Sequence, residues 1–294
     1  MIYRILHIFG KLFGKPRGWE RVVRFLSPPE KSASIEAQIG TFEKGIIFKI
    51  DPATLLGWKI YFFGTYEAEV RNIINKALSK GFVAFDVGAN VGWHTLLMAK
   101  GVGKEGHVLA FEPNPGVYDC LKENIAFNNL SQVIVSDLAL SDNDGELYFN
   151  APPSSSIGAG AGHIINNVDS SNVEQKIKVK TKKLDTIFST MNLSRLDLIK
   201  IDVEGWEWNV LEGAKETLKR YRPYIIFEYD AKYIIRSGGI SGNLDKLFSD
   251  LSYSIYRIYR NKLLKVENCW PVCANIFALP NEKTKDFKLN KRFR

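Results

Sequence analysis

Between residues 82 and 99 an apolar run, Phe82–Val87, carries a carboxylate at Asp86 and gives way at once to Gly88-Ala89-Asn90-Val91-Gly92. An apolar helical stretch, Trp93–Ala99, follows directly. A buried strand that turns into a helix through a glycine loop restricts the chain to open α/β sheets, which bind ligands at the carboxyl ends of their strands. The rhythm repeats. His107–Phe111 ends in Glu112-Pro113, a helix over 115–128 follows, and Gln132–Leu140 reads as the next strand. Leu196–Ile201, Tyr224–Tyr229, Tyr253–Tyr259 and Asn275–Leu279 are further strands, with helices over 206–221 and 243–251. Near-continuous apolar strands alternating with helices predict a parallel sheet covered on both faces.

Two stretches break the pattern. Residues 41–63 read as strands, Phe42, Ile46–Ile50 and Trp58–Phe63, interrupted by Gly45 and Asp51-Pro52, and a helix over 66–80 stops at Gly81. Within 143–183, exposed strands Glu146–Phe149 and Lys176–Thr181 flank Pro152–Gly162, a Ser-, Gly- and Ala-rich loop of a length usually kept for function. The chain therefore divides into a basic leader over 1–40, an extension over 41–80, a main domain over 81–280 carrying the 143–183 insert, and a basic tail over 281–294.

The formal net charge of +8 is confined to the ends. Residues 1–26 hold six basic groups against one acid, and residues 281–294 hold six against two, which leaves the body at −1. A nucleic-acid-binding body would carry its own basic face, so a nucleic-acid partner is not expected. Basic ends suit an acidic surface, such as anionic lipid touched peripherally, or simply solubility. The apolar positions Ile2, Ile5, Leu6, Phe9, Leu12 and Phe13 recur at helical spacing but are cut by Arg4, His7 and Lys11, so neither a span nor a signal peptide is expected. A helix packing on the body or a partner is preferred to one lying on a membrane surface, because one short helix is a weak anchor. Three cysteines, Cys120, Cys269 and Cys273, form no disulfide framework and no zinc set, which fits reduced thiols in the cytoplasm.

The loop is Asp-x-Gly-x-Asn-x-Gly, not the Gly-x-Gly-x-x-Gly that receives a pyrophosphate. A strand-end acid repels a diphosphate and suits a cationic group. Glu112, ending the second strand, is placed to accept from both hydroxyls of a ribose. A nucleoside without phosphates and with a charged amino-acid tail satisfies both positions: S-adenosylmethionine. The missing third glycine and the acid at Asp86 speak against a nucleotide-dependent oxidoreductase or epimerase.

These residues, with Phe111-Glu-Pro-Asn-Pro115, Asn124-Ile-Ala-Phe-Asn128, Leu138-Ala-Leu-Ser-Asp142, Ile199-Lys-Ile-Asp-Val-Glu-Gly-Trp-Glu207 and Val210-Leu-Glu-Gly-Ala214, resemble the FkbM-type methyltransferases over roughly residues 60 to 230. The resemblance implies a class I methyltransferase fold: a Rossmann-like α/β sheet of seven mostly parallel strands, with one antiparallel strand near the C-terminus. It also implies that Asp86, Gly88, Asn90 and Gly92 line the methionine end of the cofactor. Glu112 would hold the ribose, Asp137 through Ala139 would flank the adenine, and Glu67, in a Tyr-Glu motif, would close over the cofactor.

Methyl transfer to oxygen requires the acceptor hydroxyl to lose its proton as it attacks in line. Asp202, where a buried strand opens into a loop, is the first choice for that proton, with Glu204 and Glu228 next. His94 is a further candidate base, and His163, in the insert, a remoter one. Asp202, Glu204 and Glu228 are also of a type that holds a divalent cation, but no metal is assigned. The expected activity is S-adenosylmethionine-dependent O-methylation of a small-molecule or glycan acceptor: a sugar, a glycolipid or a secondary metabolite. A non-catalytic, membrane-associated module on the same fold is the competing reading.

Overall fold

A computed structural model describes residues 19–28, 38–42, 45–153, 161–165, 175–191, 193–236, 241–267, 269–285 and 287. The first elements are helix α1 (Trp19–Leu26), the hairpin β1 (Gln38–Thr41) and β2 (Ile47–Ile50), and helices α2 (Leu55–Phe63) and α3 (Ala68–Ala77). The central units are β3 (Val83–Val87), α4 (Trp93–Val102), β4 (His107–Phe111), α5 (Pro115–Phe127) and β5 (Val133–Ser136). The insert supplies β6 (Ala139–Leu140), β7 (Gly145–Asn150), β8 (His163–Ile165) and β9 (Lys176–Lys182). Then come α6 (Leu184–Thr190), β10 (Leu198–Ile201), α7 (Glu207–Glu212), α8 (Lys215–Tyr221) and β11 (Tyr224–Asp230). The chain closes with α9 (Ala231–Arg236), α10 (Ser241–Asp250), β12 (Tyr253–Tyr259), β13 (Lys262–Lys265) and β14 (Cys273–Pro280).

The main sheet runs β13-β12-β14-β11-β10-β3-β4-β5, eight strands where seven were expected. From β11 to β5 all neighbours are parallel, while β14 lies antiparallel between β11 and β12. The additional strand, β13, is a hairpin return on the β12 edge. Both faces are apolar. Ala84, Leu198, Ile226 and Phe277 face the layer holding α2, α3 and α4, and Phe85, Ile199, Phe227 and Ile276 face the other. The insert folds into a second sheet, β6-β9-β7-β8.

Two asparagines dock the N-terminal hairpin. On α5, Asn124 Oδ1 accepts from Lys49 N (2.8 Å) and its Nδ2 donates to the Val91 carbonyl (2.8 Å). One turn later Asn128 brackets Ile47, accepting from its N–H (2.9 Å) and donating to its carbonyl (2.6 Å). Side-chain amides thus replace the strand that the exposed edge of β2 lacks.

Three expectations are corrected. Trp58–Phe63 is helix, because Thr54 Oγ1 caps it by accepting from Gly57 N (3.0 Å) and Gly64 ends it in the left-handed region (φ 68). Gln132–Leu140 is two strands: β5 pairs with β4, and after Asp137-Leu138 β6 leaves for β9. The helix over 206–221 breaks at Gly213-Ala214, where Gly213 passes so close to the Ser141 carbonyl that a Cβ would stand 2.0 Å from it. The apolar repeat over residues 2–13, most of the Pro152–Gly162 loop and the tail beyond 287 lie outside the described residues. No helix among the described residues is long and apolar enough to cross a membrane.

Candidate active site

Parallel strands β3 and β10 are neighbours whose connections leave in opposite directions along the sheet, and a crevice opens above their carboxyl ends. It is a cavity of about 210 Å³. Its floor is Gly88–Val91 after β3, Glu112 after β4, Asp202–Glu204 after β10 and Glu228 on β11. Its walls come from the start of α2, Tyr66-Glu67, His94 and the second sheet.

Strand alternation places the charges. With side chains alternating between faces, Asp86 and Lys200, directly paired across β3 and β10, both point toward α4. Asp86 is fully buried, and its Oδ2 accepts from Thr95 Oγ1 (2.6 Å). Lys200 is only 3% exposed, and its Nζ donates to Asp202 Oδ2 (2.9 Å). Burial by itself would lower the Lys200 pKa, but Asp202, Asp86 and Glu67 outweigh it and hold the ammonium charged, above its usual range. Burial lifts the carboxyl of Asp86, against the pull of Lys200.

Glu112 is fixed by two backbone amides, Asn90 N on Oε2 and Asn114 N on Oε1, both at 2.9 Å. Burial still raises it to about 7. Asn90 makes the first of these bonds from a left-handed backbone (φ 51). Gly88 is required at its place: φ is +77, and a Cβ would stand 1.8 Å from the Asp202 carbonyl oxygen.

Opposite the floor, Glu67 Oε1 accepts from Asn275 Nδ2 (3.0 Å) on β14. Glu67 Oε2 lies 3.6 Å from His94 Nε2, and neither atom has a hydrogen-bond partner among the described residues. Burial, then Lys200, drives His94 well below its usual pKa, so the ring is neutral and the pair is not ionic. Two unmet polar atoms in one cavity wall suit a polar ligand group. The acids Asp202, Glu204 and Glu228 bring carboxylate oxygens within 4.8 Å of one another. Burial, with Asp202, Glu204 and Glu67 nearby, pushes Glu228 up to about 8.

Residues 86–254, more than half of the chain, match the family model for the methyltransferase FkbM domain. The chain belongs to the FkbM methyltransferase family. Among curated relatives, a hexuronic acid methyltransferase of Haloferax volcanii is 28% identical over 198 residues, 67% of this chain and 74% of that protein. Methyltransferase 1 of Beauveria bassiana is 31% identical over 144 residues, 45% of this chain and 57% of its own length. A 2-O-methyltransferase of Sinorhizobium fredii is 28% identical over 169 residues, 54% of this chain and 68% of that protein. A solved FkbM methyltransferase of Methylobacillus flagellatus superposes with a TM-score of 0.43 at 15% identity, covering 75% of this chain and 52% of that one.

In this FkbM methyltransferase, Gly88, Asn90, Glu112, Glu67, Ala139, His94, Asp202 and Glu204 all line the cavity. Three expected residues do not. Asp86 is turned beneath the loop by strand alternation, to Thr95 and Lys200. Gly92 opens α4 with φ +95, and a Cβ there would press on Leu121. Asp137 is exposed at the β5–β6 break, and it is Leu138 beside it that reaches the cavity. His163 is also outside the lining, its Nδ1 3.0 Å from the Ala161 carbonyl oxygen. Two residues escaped the sequence reading. Lys200 had a signal, a lysine inside an otherwise apolar strand, a position lysine rarely occupies unpaired. Asn275, 208 residues from the Glu67 it holds, had none.

Proposed function

We propose that this chain is an S-adenosylmethionine-dependent O-methyltransferase acting on a hydroxyl of a sugar-containing or related small-molecule acceptor. The observation that carries the cofactor assignment is the carboxyl-rich lining of the cavity. Glu67, Glu112, Asp202, Glu204 and Glu228 line it, and Lys200, the cation among the lining residues, is buried and paired to Asp202. A cationic ligand, which would draw the raised Glu112 and Glu228 into their ionised form, is therefore favoured over a phosphorylated one. When bound, S-adenosylmethionine supplies a methyl group made electrophilic by its sulfonium. Glu112, with lone pairs left after its two amide bonds, accepts from the ribose hydroxyls. Gly88 and Asn90 let the backbone approach the amino-acid end, and Ala139 with Leu138 borders the base.

For the acceptor we assign the base to Glu228, which lines the cavity with a carboxylate oxygen within 4.8 Å of those of Asp202 and Glu204, while Asp202 is bonded to Lys200. The affinity of Glu228 for a proton lies near working pH, as an efficient general base requires. Asp202 is held by Lys200 and orients, Glu204 stands beside it, and His94, too weakly basic to abstract, positions. The names of the Haloferax and Sinorhizobium relatives, a hexuronic acid methyltransferase and a 2-O-methyltransferase, support a sugar hydroxyl as the target.

Calorimetric titration with S-adenosylhomocysteine, with NADH as control, tests the cofactor. Micromolar binding that is lost in Glu112→Ala supports the reading, and NADH binding in its place overturns it.

A further inference from the structure

Helix α1 has two unlike edges. Trp19 and Val23 are buried in the core on the α2 side, and Trp58 Nε1 of α2 donates to the Ser27 carbonyl (2.7 Å), fixing the end of the helix. Successive residues advance about 100° around a helix. Seen down the axis, Phe25, Val22 and Leu26 therefore continue the arc of Trp19 and Val23, and Arg21 and Arg24 border it. Among the described residues that continuation is uncovered: Phe25 is 85% exposed, Val22 45% and Leu26 41%. Scattered exposed apolar residues mean little, but three side by side with arginines along one margin form an interfacial pattern.

We propose that this edge of α1 is a docking surface for an anionic lipid bilayer. Phe25, Val22 and Leu26 enter the headgroup boundary, and Arg21 and Arg24 meet lipid phosphates. Charge complementarity selects the occupant. Residues 1–26 carry Arg4, Lys11, Lys15, Arg17, Arg21 and Arg24 against Glu20 alone, a balance that suits an anionic surface and opposes a second copy of the same face. The geometry also gives docking a use. Thr54, Leu55 and Leu56, within about one turn of Trp58 on α2, line the cavity, so α2 joins the lipid-facing helix to the cavity wall.

The test is flotation of the full chain with phosphatidylcholine vesicles and with vesicles containing phosphatidylglycerol. Wild type, Phe25→Glu and the double variant Arg21→Glu/Arg24→Glu are compared, each checked by thermal melting. Because Phe25 is exposed, Phe25→Glu should melt as wild type does. The expected result is salt-sensitive binding to the anionic vesicles, weakened about tenfold or more in both variants. Absence of binding to anionic vesicles overturns the proposal, as does binding that Phe25→Glu leaves unchanged. A dimer in solution that Phe25→Glu splits, with no vesicle binding, would also overturn it and assign the face to self-association. None of these outcomes depends on methyltransferase activity.

Discussion

Lys200 is the residue on which the charges of the cavity balance. It lies against Asp86 on one side and Asp202 on the other, in a place where an unpaired carboxylate is costly. Replacing it with methionine fills the space but strands both acids, and a loss of about 3–5 kcal/mol in denaturant melts is expected. On the floor of the cavity, Glu228→Gln keeps the shape and removes the proposed base. Methyl transfer should fall about 100-fold or more, with S-adenosylhomocysteine affinity changed far less. The sign of the pH effect follows from the raised proton affinity. As the proposed base Glu228 works only when deprotonated, so the wild-type rate is expected to rise with pH through its titration, about 8. A Gln variant whose pH–rate profile kept that acidic limb would show the base to be another group.

Among the elements, α5 acts as a clamp. Asn124 joins β2 to the glycine loop through Lys49 N and the Val91 carbonyl, so Asn124→Ala leaves both backbone groups without their partner. A destabilisation of about 2–3 kcal/mol is expected from the midpoint of a denaturant melt. The strand ends that carry Gly88, Glu112, Asp202 and Glu228 were legible in the sequence, because buried parallel strands are written as unbroken apolar runs and their ends as polar breaks. Trp58–Phe63 was not, since a helix buried all round shows no period and its aromatic and β-branched residues favour strand. What settled it was local: the Thr54 cap and Gly64. Side-chain direction was lost for a similar reason. Knowing that Asp86 ends a strand does not say which face it takes until its neighbour, Lys200, is placed.

For the molecule as a whole, buried acids make stability depend on pH in an unusual direction. Glu207 is buried, and its Oε1 accepts from Val203 N (3.0 Å) and Gly205 N (3.2 Å). Burial outweighs these bonds and raises it from 4.5 to about 8. The folded state then holds the proton more tightly than the unfolded state. Its contribution to stability is complete below pH 4.5 and is lost as pH rises through 8. Glu207→Gln keeps an acceptor oxygen and removes the titration. Its melting temperature should fall less between pH 5 and pH 8.5 than that of wild type, and an equal fall in both would place the pH dependence elsewhere.

The position of β14 also sets a timetable. The last strand to be made among the described residues is inserted between two earlier ones, and it brings Asn275, which holds Glu67 in the cavity wall. While the chain is being synthesised, β11 therefore presents an unpaired edge, and it does so until residues 273–280 emerge. An interrupted product ending at Cys269 would lack both the partner of that edge and the support of the cavity wall. Such a fragment is expected to leave the β11 edge open to pairing with its own kind, and a missing strand in the middle of the sheet is what quality control of the newborn chain would have to detect.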